Sequence, residues 1–85
     1  MEPLAVSRSD RRWTVRFQPD DRFAAVQCPE WAQSIAREHS QGAHIRLGHV
    51  GTSPCVEVVA LSRYRYPERS DAVEVAERIA EAVES

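Results

Sequence analysis

Apolar residues occupy every second position where Trp13, Val15 and Phe17 alternate with Thr14, Arg16 and Gln18, and this period of two commits the segment to a half-buried β-strand. The same period returns where Ala43, Ile45 and Leu47 alternate with His44, Arg46 and Gly48. Two other stretches repeat every three to four residues instead. Trp31, Ala32, Ile35 and Ala36 share one helical face after Pro29, and Ala72, Val75, Ala76, Ile79, Ala80 and Val83 share another before the C-terminus. A chain that switches between these periods has to build both a sheet and helices.

Punctuation residues divide the chain further. Pro19, Asp20 and Asp21 signal a turn, after which Arg22–Cys28 is expected to return as a strand and close a hairpin. Pro29 suits the first position of a helix running to His39, with Gly42 just past its end. Gly51, Thr52, Ser53 and Pro54 turn the chain again, Cys55–Ser62 is a Val-rich strand, and Pro67 ends it. The last helix is expected to begin near Asp71, which with Glu74 resembles a capping box. Leu4–Arg8 can add a short N-terminal strand. The expected fold is therefore α+β: β-β-α-β-β-α, a mainly antiparallel sheet of four to five strands with two helices packed on one face.

At 85 residues the chain is expected to form one small domain over residues 1–85. Such a chain buries roughly 60–65% of its unfolded surface, and its stability is on the order of 5 kcal/mol. The hairpin-helix order, written twice, raises the question of a duplicated β-β-α unit, but any two amphipathic helices and alternating strands look alike, and the differing offsets, 44 residues for the helices and 30 for the strands, favour that simpler reading. Residues 31–36 match 75–80 in pattern, and Val15-Arg16-Phe17 resembles Ile45-Arg46-Leu47.

All eleven basic residues are Arg and none is Lys. Arg presents a planar fork suited to carboxylates, phosphates and aromatic faces. Residues 1–70 hold ten Arg against eight acids, whereas residues 71–85 hold one Arg against five. A mildly basic body thus precedes an acidic C-terminal segment, and a pI near 5.9 argues against a dedicated nucleic-acid binder. No apolar run approaches the ~18 residues of a membrane span, and no secretory signal opens the chain, so the expectation is a cytoplasmic protein with no membrane partner. Cys28 and Cys55 are expected as reduced thiols.

Few residues are spaced for chemistry. His39, His44 and His49 recur at intervals of five, flanked by Cys28 and Cys55, but without the C-x-x-C pairs of structural zinc modules no metal site or cofactor is expected. Cys28, placed just before a helix, is the one thiol whose position favours a thiolate, although no catalytic motif surrounds it. The three glycines form no phosphate-binding fingerprint.

Arg63-Tyr64-Arg65-Tyr66 remains. Counted back at strand period, Glu57, Val59 and Leu61 fall with the arginines, while Val56, Val58 and Ala60 fall with the tyrosines, the pattern of a strand covered on both sides. The sheet face opposite the helices would then display Arg12, His44 and Glu57 together with six candidate binding residues, Arg16, Arg46, Val59, Leu61, Arg63 and Arg65. Such a mixed apolar and Arg surface fits a protein interface. The expected function is a non-catalytic binding or assembly module that associates with itself or with another protein through that face. A second reading is a nucleic-acid-binding module that stacks bases on Tyr64 or Tyr66. A third is a small thiol-dependent enzyme built around Cys28.

Overall fold

A computed structural model describes residues 2–18, 27–50 and 53–84. Its elements run β1 (Ala5–Arg8), β2 (Arg12–Arg16), α1 (Glu30–His39), β3 (His44–Val50), β4 (Ser53–Ser62) and α2 (Arg69–Glu84). This is the expected order for a small α+β fold, with four antiparallel strands in one sheet arranged β1-β2-β4-β3. The N-terminal strand forms, and it occupies one side of β2 while β4 occupies the other. With both edges of β2 taken, the hairpin expected between Trp13–Gln18 and Arg22–Cys28 has no edge to form on. Residues 19–26 and 51–52, which carry the Pro19–Asp21 turn and part of the second one, lie outside the described residues. Gln27 makes a single antiparallel bridge to Leu47 on β3.

Cross-strand partners show how the core is assembled. Trp13 pairs with Leu61, and Val15 and Ile45 both pair with Val59. Antiparallel partners share a face, so all five side chains point the same way, toward the helices. There they meet Ala32, Ala36, Ala72, Ala76, Ile79 and Ala80, each fully buried. The two helices also touch each other, and the small side chains of their buried alanines suit a close approach.

This pairing overturns the expected placement of Val59 and Leu61. Both are core residues, 0% and 1% exposed, on the helix side of the sheet. The cause is a β-bulge. Arg46 pairs with Val58, but the next residue, Leu47, pairs with Val56, which leaves Glu57 as an extra residue in β4. At such a bulge two successive residues lean to the same side. Glu57 and Val58 therefore face away from the helices together, and the alternation resumes one step out of phase. Val56, Val59 and Leu61 are thus one core set interrupted by an insertion, while Val58 and Ala60 lie on the other face.

Two helix expectations also shift. Trp31 was placed on the inward face of α1, yet it is 48% exposed, while Gln33 is buried. Gln33 turns toward β3, where its side-chain amide donates to Ile45 O (2.5 Å) and accepts from Ile45 N (3.3 Å). Those two backbone groups face away from β4, and the amide satisfies both. α2 begins at Arg69, two residues before Asp71, so Asp71 lies within the first turn instead of capping it. Ala72 N donates to Glu68 O (3.3 Å) to close that turn. Gly42, at φ +81°, supplies the left-handed residue in the turn closed by Ala43 N and Ser40 O.

Residues 31–36 and 75–80 are offset by 44, and Val15 pairs with Val59 at the same offset, whereas residues 15–17 and 45–47 are offset by 30, so the strand match and the helix match do not follow one spacing.

Leu61→Ala and Ile79→Ala are each expected to cost about 2–5 kcal/mol, and Gln33→Ala about 1–3 kcal/mol for stranding the Ile45 backbone. Exposed Glu38→Ala should stay within about 0.5 kcal/mol. Urea melts check the set, and a Leu61→Ala protein as stable as Glu38→Ala would show the assigned phase of β4 to be wrong.

Candidate functional site: the arginine face of the sheet

With both helices on one side, the other side of the sheet carries the alternate residues of each strand. Arg12 pairs with Ser62, Thr14 and His44 both pair with Ala60, and Arg16 and Arg46 both pair with Val58. Small residues run down the middle and long cations flank them. The result is an open groove of about 560 Å³ whose floor includes Thr14, Val58 and Ala60. Arg12, Arg46 and His44 line it from the sheet and Arg37 from α1, and no acid is among the described residues that line it.

Beneath this groove lies the bulged Glu57, 1% exposed. Its Oε1 stands 2.7 Å from Arg46 Nη2 and 3.7 Å from Arg16 Nη1. The Arg46 approach lies off the N–H direction, so Oε1 is buried without a well-aligned hydrogen bond and is held by charge. Both guanidiniums reach solvent, at 24% exposure for Arg16 and 48% for Arg46. One buried carboxylate thus anchors two cations to the floor of the face. Arg37 is held at the rim by a side-chain hydrogen bond to Glu30.

Of the six residues expected on this face, the structure brings together two, Arg16 and Arg46. Val59 and Leu61 belong to the core, as described. Arg63 lies past the end of β4 on the helix side, its guanidinium 5.9 Å from the centre of the Trp13 ring. Arg63 Nη1 also donates to Ser9 O (2.6 Å) and Asp10 O (3.1 Å), which binds the β1–β2 turn to the end of β4. Arg65 is exposed in the turn that follows. The tyrosines do not form a stacking platform beside Arg16 and Arg46. Tyr66 O accepts from Trp13 Nε1 (2.7 Å) and Tyr66 Oη donates to Ser40 Oγ (2.9 Å), so this residue clasps the helix side, while Tyr64 is exposed in the same turn as Arg65.

Sequence reasoning missed Arg37 and the small residues of the floor. Arg37 follows the buried Ala36, and helical phase anchored on Ala32 and Ala36 would have placed it beside β3; including Trp31 obscured that phase. Cys28 is an exposed thiol that lines the groove, and Cys55 is half-buried; neither is in a disulfide. His39, His44 and His49 are all exposed, and no cluster of three metal-ligating side chains occurs among the described residues. No helix among them is long and apolar enough to cross a membrane. Compared with protein families, characterised proteins and solved structures, the chain matches none.

Removing both cations around Glu57, as Arg16→Ala with Arg46→Ala, is expected to cost about 3–5 kcal/mol, because an uncompensated carboxylate stays buried. Adding Glu57→Ala to that pair should recover most of the loss, and thermal melts of the double and triple variants measure it. A triple variant no more stable than the double would show that the carboxylate is not what the cations compensate.

Proposed function

We propose that this chain is a non-catalytic binding and assembly module that receives an acidic protein surface on the sheet face opposite its helices. The observation that carries the reading is the groove whose described lining holds Arg12, Arg37, Arg46 and His44 and no acid. Arginine side chains suit this role because they hold carboxylates in a bidentate fork, and they are enriched at protein interfaces where Lys is depleted.

A second copy of the chain offers a surface of the required sign. Asp71, Glu74, Glu81 and Glu84 are exposed on α2, on the far side of the sheet from the groove. The basic face of one copy and the acidic helix of another are complementary, whereas two basic faces repel each other. Self-association is therefore head to tail, held by charge and not by the apolar contacts that Val59 and Leu61 suggested.

Nucleic acid is the second reading, and the separation of the acidic helix from the groove favours it, because α2 does not mask the cations from a polyanion. The displaced tyrosines weigh against it. The two readings differ in their partner and in how each responds to charge reversal on the helix.

Sedimentation velocity over a range of concentration is expected to show association in low salt that is lost at high salt and in Arg12→Glu/Arg37→Glu. Glu81→Arg/Glu84→Arg should weaken it to a similar degree, since both halves of the contact matter. Binding of single-stranded DNA, followed by fluorescence anisotropy, should be no tighter than about 10⁻⁴ M at physiological salt. A wild-type chain that stays monomeric in low salt at high concentration would sink the self-association, and micromolar DNA binding lost in Arg12→Glu/Arg37→Glu would make nucleic acid the partner.

A further inference from the structure

The two edges of the sheet are finished differently. On β3 the outward backbone groups of Ile45 are met by the Gln33 amide, and Leu47 exchanges two 2.8 Å hydrogen bonds with Gln27. That edge is closed over these residues. β1 forms the other edge. Ser9 N donates to Arg12 O (2.9 Å) at the hairpin end, from which the antiparallel alternation turns Ser7 toward Thr14, and Leu4 N donates to Arg16 O (2.6 Å) at the open end. Val6 and Arg8 turn their N–H and C=O outward, and no strand or side chain among the described residues meets them. Proteins commonly blunt or cover such an edge because it is a template for another strand.

A groove of about 570 Å³ lies beside this edge, between β1 and the start of α2. Pro3, Val6 and Val73 make it apolar, and Glu68, Glu74 and Glu77 make it acidic. Arg69 also lines it, and Glu74 shares its charge with Arg78 through a hydrogen bond; among the described lining residues acids outnumber bases. An open strand edge next to a helix-flanked groove is the arrangement in which an extended peptide adds as a new strand, its backbone pairing with the edge and its alternate side chains entering the groove.

We infer that β1 is a strand-addition site for an extended segment of a partner protein with Arg or Lys at alternate positions. The aliphatic stems of those side chains lie on Val6 and Val73, and their cationic ends reach Glu68 and Glu74. The site is separate from the arginine face: it takes a basic segment where that face takes an acidic one, and it reads backbone as well as charge.

The probe is an acetylated and amidated hexapeptide of alternating Arg and Thr, titrated into the full chain labelled with ¹⁵N. Amide shifts are expected at Val6, Arg8 and the first turns of α2, with slowed hydrogen exchange at the Val6 and Arg8 amides. N-methylation of alternate peptide bonds, set to block the groups that face β1, should weaken binding about tenfold or more, and Glu68→Gln/Glu74→Gln should weaken it by a similar factor. Arg12→Glu/Arg37→Glu should bind the peptide as wild type does, which keeps this result independent of the assembly measured by sedimentation. Equal affinity for the N-methylated peptide would reduce the site to charge alone and overturn strand addition. Shifts confined to the arginine face, or no binding at millimolar peptide, would overturn it as well.

Discussion

A single extra residue in β4 decides which side of this sheet is core and which is surface. Because strand side chains alternate strictly, a bulge is the means by which Val56 and Val59, three residues apart, come to face the same helices. The residue inserted there is a carboxylate, and its burial is tolerable only because Arg16 and Arg46 lie close on the neighbouring strands. Phe17 N also bonds to Glu57 O (2.8 Å), so the bulge is tied into the ladder with β2. The continuity of the core and the cationic character of the open face therefore rest on the same position.

The distribution of charge follows from that layout. The chain is mildly acidic overall, and the sheet keeps its two signs apart: cations gather on the open face and acids on the exposed side of α2. A net charge of −2 describes neither surface. Either side alone can act over roughly a Debye length, about 8–10 Å at ordinary ionic strength, so a partner meets a locally basic or locally acidic protein depending on the side it approaches.

Much of the fold was legible because period and punctuation are local. The alternation at Trp13–Phe17 and Ile45–Leu47, the Pro29 start of α1, the turn at Gly42 and the apolar face of α2 all appear in the structure close to where their residues place them. What was not legible is non-local. Nothing in the run Val56–Leu61 announces where the alternation slips, because the slip exists only in the pairing with β3. Carrying a strict period through Glu57 put Val59 and Leu61 on the wrong face, and extending it past Ser62 put Arg63 there too. The exposure of Trp31 likewise depends on how α1 sits against α2 and β3. The ion-pair set of Arg16, Arg46 and Glu57 was read onto one side correctly, because all three lie before the phase error reaches the candidate residues.

The sealed edge at β3 limits what can be built from this chain. Aggregation by sheet extension requires each added strand to leave a fresh edge for the next, and β3 offers no such edge where Gln33 and Gln27 occupy its outward groups. Growth from β1 can still occur, but two chains joined through their β1 edges would end in β3 on both sides. Sheet extension is therefore terminated after one step. One glutamine side chain and one backbone bridge thus occupy, at Ile45 and Leu47, the groups that a further strand would need.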